Sequence, residues 1–255
     1  MTQPYYLSDQ GLSEYLLFHY GKSEEVLPYP FGPRDALGYP VQSVHTLLDP
    51  ARLGKDRTRR ALDLGCAVGR STFELTRWAD EVIGIDASSR FIEAAHILQA
   101  EGCLPYTFQV EGQIWQDAVA EVPRDMDRSR VTFRVGDAMD PGEDIGAFDI
   151  VHMANLIDRL PDPARCLRQL PGLINPGGQL LLLSPYTWMQ AYTPEEAWLG
   201  GRSIAGTPQT SLEGLHGLLD ADFTLDLTLD LPFLIREHAR KYQWSVAQGT
   251  RWIRR

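Results

Sequence analysis

Apolar positions along this 255-residue chain follow two periods, and the switch between them predicts the elements. Between Leu7 and Tyr20, residues Leu12, Tyr15, Leu16 and His19 recur at helical spacing, with Ser8 or Asp9 able to cap the helix and Gly21 to stop it. Pro28, Pro30, Gly32, Pro33, Gly38 and Pro40 then break regular structure before a shorter helix from Val41 to Leu48. From Arg60, buried-strand runs (Ala61 to Leu64, Glu81 to Asp86) alternate with helices (Arg70 to Ala79, Ser88 to Ala100), and Ser88 caps the second helix while Gly102 ends it. Further strands are predicted at Val131 to Val135, Phe148 to Met153 and Gln179 to Ser184, and helices at Pro163 to Leu170 and Ser211 to Leu219. Phe223, Leu225, Leu227, Leu229 and Leu231 alternate with polar residues as a half-exposed strand, and a last strand near Ser245 to Ile253 can pair with it antiparallel. Cys103 to Arg130 reads as an insertion holding a strand at Tyr106 to Val110 and a helix near Ile114 to Val119; residues 185–210 read as a second, irregular one. The alternation implies an α/β domain over 51–255, with a parallel sheet covered on both faces and residues 1–50 as an N-terminal helical cap.

A net charge of −10 disfavours a nucleic-acid partner, which needs clustered cations to displace counterions. Arg236, Arg240, Lys241, Arg251, Arg254 and Arg255 gather near the C-terminus as a candidate anion site or a solvated end. Cys66, Cys103 and Cys166 have neither disulfide-framework nor metal-ligand spacing, so no metal is expected and a reducing cytoplasm fits. No export signal or membrane-spanning stretch is read.

The chemistry concentrates where strands end. Asp63-Leu64-Gly65-Cys66-Ala67-Val68-Gly69 joins the first strand to the next helix, where an open parallel sheet binds nucleotides. Gly65, Ala67 and Gly69 let a ligand approach the backbone, although such a turn needs glycine for structural reasons too. Asp86 ends the second strand, where an acid can accept hydrogen bonds from two ribose hydroxyls or cap the following helix. Gly136-Asp137-Ala138 follows the third strand of the alternation with an acceptor for an adenine amino group, and Phe148 to Met153 leads to Asn155 at the mouth of the site.

In their order these pieces resemble the class I methyltransferase family from about residue 60 to residue 185. The resemblance implies a Rossmann-like, mostly parallel seven-stranded sheet with an antiparallel last strand, and S-adenosylmethionine as cofactor. It implies that Asp63, Gly65, Cys66, Ala67 and Gly69 hold the methionine end, Asp86 and Ala87 the ribose, Asp137 and Ala138 the adenine, with Asn155 beside them. Ala67 stands where that family most often has glycine. Outside this region, Tyr5 to Asp9, Glu14 to Gly21, Asn155 to Leu160, Ser184 to Trp188, Trp198 to Gly201 and Ile235 to Gln243 resemble the methyltransferases of ovothiol biosynthesis. That narrower resemblance implies methylation of an imidazole nitrogen of 5-thiohistidine to ovothiol A, with a separate sulfoxide synthase as pathway partner.

An amino-acid acceptor needs a cation for its carboxylate, for which Arg236, Arg240 and Lys241 are candidates, and acceptors for its ammonium, for which Asp158 and Asn155 are. Asp158 and Arg159 are both candidate substrate-binding residues and read equally as a surface pair at a helix start. Tyr5, Tyr6, Tyr15, Phe18, Tyr20, Tyr186 and Trp188 can wall a flat ring and a sulfonium, or pack the N-terminal helix on the domain. Tyr6 and Tyr186 are favoured for the first role, and His19 can orient the acceptor, accept a proton, or pack. The alternatives are a methyltransferase of another small molecule and a non-catalytic binding protein of the same fold.

Overall fold

The apolar runs after Arg60 form the centre of one sheet in the computed structural model, which describes residues 4–54, 57–142, 145–204 and 206–255. Its strands are β1 (Arg60–Leu64), β2 (Glu81–Asp86), β3 (Cys103–Glu111), β4 (Ile114–Glu121), β5 (Val131–Val135), β6 (Phe148–Ala154), β7 (Ile174–Ser184), β8 (Arg202–Ile204), β9 (Thr207–Gln209), β10 (Phe223–His238) and β11 (Lys241–Arg254). The α-helices are α1 (Asp9–Tyr20), α2 (Ser23–Val26), α3 (Tyr39–His45), α4 (Arg70–Leu75), α5 (Ser89–Glu101), α6 (Pro163–Leu173) and α7 (Ser211–Leu219). The main sheet has seven strands in the order β10-β11-β7-β6-β1-β2-β5. Pairing is parallel from β5 to β7, and β11 runs antiparallel to both β7 and β10.

Alternate side chains of the central strands enter two cores. Ala61, Ile150, Leu181 and Leu183 meet Phe73, Leu75, Phe91 and Leu98 of α4 and α5. Leu62, Val151, Leu180 and Leu182 meet Leu167, Leu170, Leu215 and Leu219 of α6 and α7. Burial on both faces explains why Phe148 to Met153 is apolar almost without interruption.

The sequence expectation fails at Ile114 to Val119, which is strand and not helix. Ala118 and Ala120 are buried while Asp117, Val119 and Glu121 are exposed, a period of two. β3 and β4 form an antiparallel hairpin in which Glu111 faces Ile114, and Gly112 takes the positive φ (+54°) that a two-residue turn needs. The Pro- and Gly-rich stretch contains the four-residue α2, which proline counting does not predict. β10 and β11 run longer than expected; β11 pairs with β7 only from Gln248 to Ile253, and the hairpin beyond it rises free of the sheet edge. Its tip is clasped by a hydrogen bond from the Tyr29 hydroxyl to the Ala239 carbonyl and one from the Ala239 amide to the Val110 carbonyl of β3.

Beneath the cap, Glu74 of α4 is almost wholly buried and gathers two arginines and an imidazole: Arg70 (2.7 Å), Arg77 (2.6 Å) and His45 of α3 (2.7 Å). Despite the opposing cost of burial, these hydrogen bonds and charges hold its carboxyl below the ordinary carboxylate range. The stabilisation from Glu74 is therefore complete above its unfolded pKa of 4.5 and is lost as pH falls through the lower folded value. Glu74→Ala, which leaves Arg70 without its buried partner, should cost about 3 kcal/mol at neutral pH in urea denaturation. An unchanged midpoint and slope would refute this.

Candidate active site

The first carboxylate of the glycine loop lies under the site. Asp63 is 1% exposed, and both its oxygens are engaged: Oδ2 accepts from the Thr72 hydroxyl (2.7 Å) and Oδ1 from His152 Nδ1–H (2.8 Å). His152 Nε2 is 3.0 Å from Ser43 Oγ, which also lies 3.1 Å from the Pro40 carbonyl, so its one proton serves either acceptor. The structure gives Asp63 this supporting role beneath the glycine loop, in addition to the cofactor contact that the resemblance implies.

Above Asp63 the chain turns through positive φ at Gly65 (+76°), Ala67 (+47°) and Gly69 (+85°). At Gly69 a Cβ would meet the Phe133 ring at 2.5 Å, so this glycine is required by packing as well as by backbone conformation. Cys66 is buried, and burial holds its thiol well above the ordinary range, so it remains a neutral lining group. Ala67 presents its amide to Asp86 Oδ2 (2.9 Å), and the amide of Ser88 meets Asp86 Oδ1 (2.8 Å). Each Asp86 oxygen thus has one backbone donor and capacity for another, the arrangement that a vicinal ribose diol fits. Burial nevertheless raises its pKa to about 6. Ala87 between them is exposed.

Asp137 is exposed at the end of β5, with Oδ1 accepting from the Met139 amide (2.9 Å). Neighbouring Ala138 is buried, and its carbonyl accepts from the Cys166 thiol (3.3 Å). A small-residue ledge with an acidic edge results, which fits an adenine ring and its amino group.

The cap supplies the roof. Ser88, two residues from Asp86, donates its hydroxyl to the Tyr6 carbonyl (2.6 Å), and the Tyr20 hydroxyl donates to the Val68 carbonyl of the loop (2.9 Å). Tyr15 packs 4.7 Å from Phe91, Tyr6 stands edge-on to both rings, and Phe18 and His19 continue the aromatic surface. Burial lowers the His19 pKa to about 3 and raises that of Tyr6 to about 12, so both are neutral at physiological pH. His19 Nδ1 is buried without a hydrogen-bond partner. A neutral His19 ring in this position can orient a ligand.

At the mouth, Asn155 takes a positive φ (+53°) and its Oδ1 accepts from the buried Tyr39 hydroxyl (2.8 Å), which leaves the amide N–H groups for a ligand. Tyr39 itself stacks on Phe18 and packs on Phe233 of β10, a role that the sequence reading missed because Tyr39 lies among the prolines and glycines. Tyr186, also at positive φ (+50°), donates its hydroxyl to Gln248 Oε1 (3.0 Å). Asp158 is fully buried, and its Oδ2 accepts from the Thr187 amide (2.9 Å) and Arg159 Nη1 (3.1 Å). Asp158 and Arg159 are thus no surface pair.

Three candidates sit apart from this cluster. Trp188 donates its indole N–H to Ser211 (2.9 Å) and stacks on Trp198, so its ring packs the 185–210 segment. Arg236 is buried over the Phe108 ring (4.9 Å) and donates to the Glu25 carbonyl, locking α2 to the β10–β11 arm. Lys241 pairs with Glu237 (2.6 Å) at the exposed turn of that arm. Arg236 is thus engaged within the fold, whereas Lys241 and the neighbouring Arg240 lie at the surface of the arm. A cleft of about 1290 Å³ lies elsewhere, between the end of α5 and residues 121–129, and shares no residue with the loop. Among the described residues there is no metal-binding cluster of three or more His, Cys, Asp or Glu, and no helix long and apolar enough to cross a membrane.

Residues 38–209 match the family described as methyltransferase domain. Among curated proteins, the ubiquinone biosynthesis O-methyltransferase of Xanthomonas euvesicatoria is 26% identical over 149 residues, covering 56% of this chain and 52% of that protein. The chain therefore spans about half the length of the curated relatives it matches. Among solved structures, the magnesium protoporphyrin IX methyltransferase of Synechocystis PCC 6803 with bound SAH superposes with a TM-score of 0.52 at 18% identity, covering 89% of this chain and 91% of that one. A SAM-dependent methyltransferase from Methanosarcina mazei gives 0.52 at 18% identity, over 82% and 95%. At such identities these structures speak to the fold, which is the Rossmann-like one. The family match runs through the glycine loop, Asp86, Asp137 and Asn155 and covers well over half of the sequence: the chain belongs to the methyltransferase domain family.

Proposed function

We propose that this chain is an S-adenosylmethionine-dependent N-methyltransferase acting on an imidazole nitrogen of 5-thiohistidine. The donor half of the reading rests on family membership and on Asp86, whose two oxygens each keep capacity for a hydroxyl donor beside a loop of small residues. The acceptor half rests on the resemblance of the outer segments to the ovothiol methyltransferases. It is supported by one observation: Tyr6 to Tyr20, Asn155 to Arg159 and Tyr186, far apart in sequence, converge on the same opening. A separate sulfoxide synthase would supply the acceptor.

The bound cofactor supplies an electrophilic methyl on a sulfonium, which leaves as a neutral thioether. The protein's part is to align the ring nitrogen and exclude water. The Tyr6, Tyr15 and Phe18 faces suit a cationic donor, and neutral His19 adds no opposing charge. Asn155 N–H and the Tyr186 side chain orient the acceptor. No side-chain base is required, because the acceptor's own thiolate offsets the charge that develops on the ring.

The Asp86 carboxylate, not the protonated acid, accepts from both ribose hydroxyls, so a bound cofactor favours the ionised form. With a free-protein pKa of about 6, affinity should weaken as pH falls below that value, approaching a tenfold rise in Kd per pH unit in calorimetry with S-adenosylmethionine. Asp86→Asn should weaken binding about 10- to 100-fold and flatten the profile. A wild-type Kd constant between about pH 5 and 8 would remove Asp86 from the ribose site.

For the acceptor, mass spectrometry should detect ovothiol A from 5-thiohistidine and S-adenosylmethionine, with histidine turned over far more slowly. No product from 5-thiohistidine, with methylation of a catechol in the same assay, would replace this reading by the oxygen chemistry for which the Xanthomonas relative is named.

A further inference from the structure

A half-buried arginine at the mouth of the site is held from behind by Asp158. Arg159 follows Asn155 on the turn after β6, and its Nη1 donates to Asp158 Oδ2 (3.1 Å), the Asp158 carbonyl (2.9 Å) and the Thr187 carbonyl (2.9 Å). The guanidinium lies 4.8 Å over the Tyr192 ring, and the Tyr6 hydroxyl flanks it. These contacts fix the plane of the fork, while 26% of the side chain stays exposed. Tyr6 is in turn edge-on to Tyr15 and Phe91, the aromatic pair beside Asp86. The exposed part of the fork lies beside Tyr6 and Tyr192, while Arg236 is engaged with Phe108 and Glu25, and Arg240 and Lys241 sit at the turn of the β10–β11 arm.

We infer that Arg159 is the anion anchor of the acceptor site: it receives the carboxylate of an amino-acid acceptor on its exposed guanidinium N–H groups and selects against acceptors that lack one. This rests on the acceptor site proposed above. A planar fork, already oriented by Asp158 and stacked on an aromatic ring, loses little conformational freedom on meeting a carboxylate and matches it with two parallel hydrogen bonds. Asp158 serves as the positioning residue. Its buried carboxylate is shared between Arg159 and the Thr187 amide, so the 3-10 turn and the start of the 185–210 segment are fixed together.

The experiment compares kcat/KM for 5-thiohistidine and for its decarboxylated analogue in wild type, Arg159→Met and Arg159→Lys. Wild type should prefer the carboxylate-bearing compound. Arg159→Met should reduce that preference about 10- to 100-fold, mainly through KM, with the Kd for S-adenosylmethionine unchanged. Arg159→Lys should restore part of it, because a point charge replaces the fork. An unchanged preference in Arg159→Met that still binds the cofactor overturns the inference, as does an absence of preference in wild type. If wild type methylates neither imidazole, the acceptor reading falls by itself, and the anchor is then read by calorimetry of the S-adenosylhomocysteine-loaded protein with 3,4-dihydroxybenzoate and catechol. Tighter binding of the carboxylate in wild type, lost in Arg159→Met, supports the anchor. Equal binding, or none, overturns it.

Discussion

A carboxylate sealed from water must find all its partners within the protein, and at the carboxyl edge of this sheet that requirement falls on Asp63. Thr72, His152 and, through the imidazole, Ser43 answer it, and each belongs to a different element. The one buried chain therefore couples β1 to α4, to β6 and to α3. Asn155 stands three residues beyond His152, and the glycine loop begins two residues beyond Asp63, so the donor pocket and the mouth share a foundation. Loss of one member would strand the others in a low-dielectric interior, where an unpaired polar group is costly.

Above that foundation the charges are distributed with restraint. Asp86 sits half-buried at a pKa poised near neutrality, while the roof of tyrosines and a deprotonated His19 carries no charge. A sulfonium thus meets aromatic faces instead of a fixed anion, and a neutral thioether has no strong partner to hold it back. Arg159 marks the opposite end of the opening, with its charge offset from behind by Asp158.

The sheet was legible in the sequence because burial on both faces leaves an unambiguous apolar signature at Phe148 to Met153 and Leu180 to Leu183, and because Ser88 and Gly102 bracket α5 with capping chemistry. Ile114 to Val119 misled because a hairpin packing on the cap exposes Ile114 and Trp115, and the two small buried residues, Ala118 and Ala120, are good helix formers. The residues around the ribose and adenine positions follow from strand ends, a local property. Tyr39 and Arg159 do not, since their partners Asn155 and Phe233, and Tyr6 and Tyr192, are distant in the chain. For the same reason a cluster of cations at Arg236 to Lys241 suggested an anion site that the fold uses for packing and a surface pair.

The arm formed by the outer halves of β10 and β11 leaves the sheet where β7 stops pairing, at Gln248 opposite Ser184, and carries Phe233 onto Tyr39 and Phe18. It rests on α1 and the β3–β4 hairpin, none of which contributes a strand to the main sheet. The arm thus differs from the cap: the cap is tied to the glycine loop and to Asp63 through Tyr6, Tyr20 and Ser43, whereas the arm meets them through Tyr39 and Phe18. Sequence change in the arm is therefore the kind of change this architecture absorbs with the least disturbance to Asp63 and Asp86.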